Sequence, residues 1–418
     1  MKSLLKKRLL PVVAIAATAG LVLSGCSAAG GGETKEIKIG VLATDKGNLA
    51  FGMDEAKAAI GVSMAAIGGT IDGGEIDGVP ITIVYEGTDG TSASAQTAVK
   101  KLVENDGVDI VFGPVSGDEG ETVVQYALTT PEVTYVNGSA SPVGMTLAGA
   151  DNFFRFHGDS AMWMGGLGDY AYNEKGYKKV YAIAEDYSFP YDNAGGFFSE
   201  FCAAGGDVTG NAWVPVGTTD YSSIIAQIPA DTDAVYVGLG GADAASFLSQ
   251  AVTAGVQKPL IGGTIAVDTT ALSGDANIAE VAVGTIAGGP VPGPDYDSPE
   301  WQTFVAEYVK QPKAFPSPSI FSILYYNSFN SLLLALQEVK GQLGSPDQKD
   351  LRAALTALEW TSPTGPISLD GNRQAIVDNF LIEVVQGADG TLTTKQISQT
   401  SGVAQGTKTY DRFEGCPE

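Results

Sequence analysis

A chain of 418 residues that is 44% hydrophobic and 17% charged has the composition of a globular protein, and its length allows two or three domains. The formal net charge of −24 is carried by scattered carboxylates, which makes nucleic acid and anionic lipid headgroups unsuitable partners. One histidine, His157, and no closely spaced thiol pair leave no zinc cluster in the sequence.

Lys2, Lys6, Lys7 and Arg8 form a basic leader. Residues 9–23 are mostly apolar but broken by Pro11, and Leu23-Ser24-Gly25-Cys26 follows. The run is short for a bilayer span and has the flanks of a signal peptide. The tetrapeptide resembles the lipobox of bacterial lipoproteins. That implies a diacylglycerol on Cys26 and removal of residues 1–25; the alternative is a plain secretory signal with a chance cysteine. Two or more acyl chains hold a protein firmly on a membrane. Residues 26–35, rich in glycine and alanine, would then be a flexible tether. Loss of the leader moves the formal charge to −28. Of the remaining cysteines, Cys202 and Cys416 are expected to form a disulfide, since the pair lies outside the cytoplasm.

From Glu36 the pattern alternates between strand and helix. Residues 37–42 (IKIGVL) read as a strand, 53–67 as a helix with Ala56, Ile60, Met64 and Ile67 inward, and 81–85 as a strand. Residues 92–104 read as a helix capped by Ser92, with Ala95, Val99, Leu102 and Val103 buried. Residues 108–112 and 133–136 are short apolar runs suited to buried parallel strands. Between them, 121–128 has helical spacing, with Val124 and Leu128 on one face. The rhythm restarts with helices at 161–172, 193–204, 221–228 and 242–254. Strands lie among them at 179–184, 207–214, 234–239 and 260–262, and 281–287 is extended. Helices follow at 300–310, 320–339 and 347–358, the second read as a buried core helix and not a membrane span. Strands at 366–369 and 377–385 flank the turn Asp370-Gly371-Asn372. Such repetition predicts α/β architecture: two doubly wound parallel-sheet lobes joined by a multi-strand hinge.

Two strand ends stand out, Gly113-Pro114-Val115-Ser116-Gly117 and Gly138-Ser139-Ala140-Ser141. Ligands of open α/β sheets bind outside the carboxyl ends of the strands. These loops offer hydroxyls and open backbone N–H groups but no strong base or thiol, so they suit holding a small polar group. The alternative is that they are ordinary turn residues.

IKIGVL, TSASAQTAVKKLVENDGVDIVFGP, YVNGSASP, TDYSSIIAQIPADTDAVYVGLGGADAASFLSQAVTAGV and GPISLDGNR, in this order and behind a lipobox, resemble the extracytoplasmic substrate-binding proteins of ABC transporters. The type is the branched-chain amino acid (Leu/Ile/Val) one, with a type I periplasmic-binding fold. The resemblance implies a first lobe of residues 36–156 plus 288–365 and a second of 157–287 plus 366–418. A small-molecule ligand would lie between them and the lobes would close on it by hinge bending. It implies a monomer, no cofactor, and permease and ATPase partners. Ser116, the backbone of Gly117, Ser139, Ala140 and Ser141 would hold a ligand carboxylate, aided by helix N-termini. Phe51, Trp163 and Phe189 would wall the cleft, with core packing as the alternative for each. Gly240 and Thr264 are further cleft positions. Thr264 stands where amino-acid binders of the family place an acid for the ligand ammonium. Unless Asp118, Glu185, Asp186 or Asp243 replaces that acid, an apolar or aromatic carboxylate or an amide is favoured over leucine.

An enzyme is disfavoured. No G-x-S-x-G elbow or phosphate-binding G-x-x-x-x-G-K-[ST] loop occurs, and His157, beside Asp159 at the lobe crossover, reads as a hinge or surface residue. A hydrolase is the least favoured reading. A tethered sensor that reports to a signalling receptor fits the same sequence as a transport component.

Overall fold

A computed structural model describes residues 36–273 and 276–416. The leader, Cys26 and the tether lie outside the described residues. The first sheet comprises β1 (Ile37–Thr44), β2 (Gly73–Ile76), β3 (Val79–Thr88), β4 (Ile110–Phe112), β5 (Thr134–Val136) and β6 (Phe153–Phe154), in the order β2-β3-β1-β4-β5-β6. The second contains β7 (Lys179–Glu185), β8 (Asp207–Val214), β9 (Ala234–Gly238), β10 (Leu260–Gly262), β11 (Ile286–Gly289), β12 (Trp360–Ser362), β13 (Gly365–Leu369), β14 (Ala375–Gln386) and β15 (Leu392–Val403). Its order is β12-β13-β14-β11-β10-β9-β7-β8, with β15 on β14.

Both sheets are doubly wound, as expected. Within each, the parallel strands follow one plan: the first strand lies between the second and the third, and the fourth and fifth follow. Apolar residues cover both faces. Val111 joins the cluster on one face of the first sheet with Val99, Leu102 and Val123, while its neighbour Phe112 joins the large cluster on the other. That alternation is the strand period of two. Helix Ile320–Glu338, buried along most of its length, packs on helix Gly52–Ala65 and closes the second face. It is a core helix, and no helix among the described residues is long and apolar enough to cross a membrane.

The chain passes between the sheets three times, and the crossings lie side by side. Arg155 N donates to Arg373 O (3.1 Å) and Ala375 N to Arg155 O (2.9 Å). β11 runs antiparallel to β14. The guanidinium of Arg155, fully buried, donates from Nε to Gln374 and from Nη1 to Pro142 O (2.7 Å). The Cys202–Cys416 disulfide, with Cα atoms 5.5 Å apart, fastens the C-terminal arm to helix Ser188–Ala203. Phe413 stacks on Phe198 with centroids 4.1 Å apart, extending that attachment.

Several elements differ from expectation. Thr91, not Ser92, caps the second helix, its hydroxyl accepting from Ser94 N. The next helix begins four residues early, at Gly117, because Ser116 and Glu119 form a capping box. Val124 is buried, but Leu128 is 45% exposed, since it is the C-cap and leaves the stripe. The helix expected over 161–172 is broken at Gly165-Gly166, where Gly166 adopts φ +84°; the regular helix is Leu167–Asn173. The expected helix at 221–228 shrinks to Ser222–Ile225. Residues 279–282 form a helical turn, and the strand expected over 281–287 begins only at Ile286. Helix Ser188–Ala203 starts five residues before the expected 193, with Pro190 in its first turn where no backbone N–H is needed.

Candidate functional site

The order of strands in each sheet reverses beside its first strand. Loops leaving β1 and β4 therefore diverge in one lobe, as do those leaving β7 and β9 in the other. Loops leaving the carboxyl ends of β1, β4, β5, β7 and β10 meet at one small cavity, whose empty space, open solvent at its mouth included, is about 290 Å³. Leu49 follows β1, Ser116 and Gly117 follow β4, and Ser139 follows β5. Tyr187 and Phe189 follow β7, and Ile265 follows β10. Trp163 enters from the first crossing, while Ile320, Phe321 and Leu324 come from the first turns of the long helix.

Glycine is needed where β4 ends. Gly113 has φ +118°, and a Cβ there would fall 2.1 Å from Leu42 O. The turn places Ser116 at a helix N-terminus, where its backbone N–H donates to Glu119 Oε2 (3.1 Å). Glu119 also accepts from Thr44 Oγ1 (3.1 Å) and Gly90 N (2.9 Å), tying three loops of the first lobe together. Ser139 is held by its N–H to Pro114 O (3.0 Å) and its hydroxyl to Val115 O (3.3 Å).

Five of the expected residues thus share the cavity wall: Ser116, Gly117, Ser139, Trp163 and Phe189. Trp163 and Phe189 are neighbours, with ring centroids 6.0 Å apart. The other five lie elsewhere. Ala140 faces Gly120 on the adjoining helix, and the Ser141 hydroxyl donates to Ser139 O (2.7 Å). Phe51 packs edge-on against Phe321 (5.2 Å) and Phe315 (5.8 Å), one ring removed from the cavity. Gly240 O accepts from Asn48 Nδ2 (3.3 Å) at the lip. Thr264 is turned toward Asn193, whose Nδ2 donates to its Oγ1 (3.1 Å). Sequence reasoning missed Leu49, Tyr187, Ile265, Phe321 and Leu324. Tyr187 was legible as part of the Tyr187-Ser188-Phe189 turn, but Phe321 and Leu324 sit in a segment whose apolarity is that of any core helix.

The lobes touch around the cavity. Asn48 Nδ2 donates to Glu185 Oε1 (2.8 Å), and Asp243 N donates to Asn48 Oδ1 (3.3 Å). On the other side, Ser188 Oγ (2.7 Å) and Ser188 N (3.3 Å) both donate to Asp118 Oδ1. Burial, with Asp243 beside it, holds the Glu185 carboxyl well above the usual carboxylate range. Asp186 binds Arg412 and Tyr191. None of Asp118, Glu185, Asp186 and Asp243 lines the cavity, whose wall includes no Asp, Glu, Lys or Arg among the described residues. Such a wall can donate hydroxyl and backbone N–H hydrogen bonds and can pack a flat or branched apolar group.

His157 is buried rather than superficial. Its Nε2 meets Asn137 Nδ2 (2.7 Å) and its Nδ1 meets Gly158 O (2.8 Å). Burial, with Arg155 adding to it, pushes the imidazole down to about 3. It braces the first crossing.

The model of the periplasmic binding protein family matches residues 36–390. Leu/Ile/Val-binding protein homolog 6 of Brucella melitensis is 29% identical over 227 residues, which is 54% of this chain. The match spans 57% of that relative's length. An ABC transporter substrate-binding protein from Sphaerobacter thermophilus superposes with TM-score 0.78 at 24% identity, over 89% of this chain and 99% of that one. A solute-binding protein of an ABC transporter from Rhodopseudomonas palustris BisB5, solved with 3,4-dihydroxybenzoic acid, gives 0.80 at 22% identity, over 88% and 98%. The branched-chain amino acid binding protein LivJ of Streptococcus pneumoniae, solved with isoleucine, gives 0.72 at 20% identity, over 87% and 99%. At these identities the structural likeness is one of fold.

Proposed function

Because the chain belongs to the periplasmic binding protein family, we propose that it is the extracytoplasmic substrate-binding component of an ABC importer, tethered through lipid on Cys26. It works as a monomer and presents its ligand to permease and ATPase subunits. The lobes are residues 36–156 plus 288–365 and 157–287 plus 366–418. They close on the ligand and make no covalent change to it.

The ligand class is an apolar or aromatic carboxylate, or the corresponding amide. One observation carries this: the cavity wall combines Ser116, Gly117 and Ser139 with Trp163, Phe189 and Phe321, and holds no carboxylate among the described residues. A buried ammonium without a counter-charge is costly, which weighs against a free amino acid. The hydroxyls and the N-terminus of helix Gly117–Ala127 would take the ligand carboxylate. The rings would pack its hydrocarbon face. The relative solved with 3,4-dihydroxybenzoic acid supports this reading, whereas the one solved with isoleucine shows that the fold also serves amino acids.

A thermal-shift series tests it. A ligand at one hundred times its Kd stabilises by about 2.7 kcal/mol, which raises the melting temperature by about 3 °C in a chain of this length. Benzoate or 4-hydroxybenzoate is expected to give such a shift. Shifts with leucine, isoleucine or valine and none with the aromatic acids would refute the ligand assignment.

A further inference from the structure

A second and larger cavity lies behind the first, at the hinge. Its empty space, open solvent at its mouth included, is about 800 Å³. Its wall comes from both halves of the molecule. Trp301 and Val305 stand on helix Pro299–Tyr308, and Ile320 begins the long helix. Opposite them are Val267, Leu272 and Ile382 of the second lobe. The proline-rich crossing after β11 and the edge strand β15, at Leu392–Thr394, complete it. Ile320 is the only residue it shares with the cleft cavity.

Two features define what it would accept. Trp301 is 3% exposed and its indole N–H has no partner among the described residues. A buried donor left unpaired is costly, so this one calls for an acceptor. Among the described residues no cation lines the wall, and Asp268 is its only ionisable group. Both oxygens of Asp268 are engaged, Oδ1 by Thr270 N (3.0 Å) and Oδ2 by Ile320 N (2.7 Å). An anion would meet an acidic side chain and no cation, and a cation would have to displace two backbone donors.

We propose that this hinge cavity is a second ligand site, separate from the cleft, for a small neutral apolar molecule bearing one hydrogen-bond acceptor directed at Trp301. The chemistry differs from that of the cleft, which presents hydroxyls and a helix N-terminus to an acid. Its two-sided wall means that an occupant contacts both lobes, and the Asp268–Ile320 bond in that wall already ties them.

Cyclohexanone is the probe: neutral, apolar and with a single carbonyl acceptor. The protein has four tryptophans, so its ¹⁵N-labelled form shows four indole N–H resonances, and Trp301→Phe identifies the one that matters. Cyclohexanone is expected to move the Trp301 resonance saturably. Val305→Phe, which fills the cavity, should weaken that binding at least tenfold. Thr394→Phe at its edge should do the same, should the first variant fold poorly. Benzoate is expected to move the Trp163 resonance instead, so a failure of the cleft reading is seen separately. No saturable shift at Trp301, a shift at Trp163 in its place, or undiminished binding in folded Val305→Phe and Thr394→Phe proteins would overturn the proposal.

Discussion

Gly117 sits where the two lobes meet, and its replacement by alanine tests whether the contact seen here is the ligand-holding one. A Cβ on Gly117 would fall 2.7 Å from Ser188 Oγ, 3.0 Å from Pro142 Cγ and 3.2 Å from Phe189 N. Ser188 can rotate away only by giving up its 2.7 Å bond to Asp118 Oδ1. A hydrogen bond to a charged group is worth about 1.5–3 kcal/mol, and overpacking costs about 1–3 kcal/mol. Partial relaxation leaves a penalty of about 2 kcal/mol, or about thirtyfold in Kd. Ser188 and Phe189 belong to the opposite lobe, so their share of the penalty falls on the closed form. Gly117 has no positive φ, so alanine suits its backbone and the melting temperature of the open form should hardly change. The assay is ligand affinity by tryptophan fluorescence, using whichever acid stabilises the parent most, with small-angle scattering for lobe closure. Adding Ser188→Ala should recover part of the loss. An alanine variant that binds within twofold of the parent and closes equally would refute the argument.

The buried Glu55 carboxyl, bonded to Tyr308 and Ser319, is pushed up from 4.5 to about 7 by burial. Its folded value lies above its unfolded one, so the unfolded chain gives up this proton first as pH rises. Stability should fall between pH 4.5 and about 7, by a magnitude on the order of 3 kcal/mol, and then level off. Glu55→Gln should flatten that slope in denaturant titrations across the range. His157 has the opposite sign: its imidazole is held down at about 3, so its contribution is lost as pH falls from 6.5 toward 3. Its ring resonances should not titrate between pH 5 and 8. Cys416→Ala frees the C-terminal arm and removes a crosslink spanning 214 residues, which should lower the melting temperature by about 3–5 °C, for a typical loss of about 2–4 kcal/mol. Cys26→Ser should move the protein from the membrane to the soluble fraction after cell lysis.

What could be read from the sequence follows from how each element is buried. IKIGVL, KVYAIA and AVYVGL are continuous apolar runs because both faces of their strands are covered, and each is a strand in the structure. β15 was missed for the converse reason. It is an edge strand whose Thr, Lys, Gln and Ser side chains are largely exposed, so neither apolar alternation nor an apolar run marks it. Within the site, the loops after β4 and β5 stand out because a loop of small hydroxyl residues at a strand end is unusual, and Ser116 and Ser139 do line the cavity. Ala140 and Ser141 share that loop but point elsewhere, a matter of backbone turn that spacing does not report. Thr264 is one residue from the wall position Ile265, since Asn193, reached from a distant helix, fixes which side chain turns inward.

The crossing strands at Arg155 and Gln374 are zipped by backbone hydrogen bonds, while a third passes beside them. A joint of that breadth behaves like the spine of a book. The covers can swing about one line, but twisting or sliding them would tear the zipped segment. Under the proposed lobe closure, opening would be described by a single angle, and a docking transporter would have one coordinate to sense: how far the book is open.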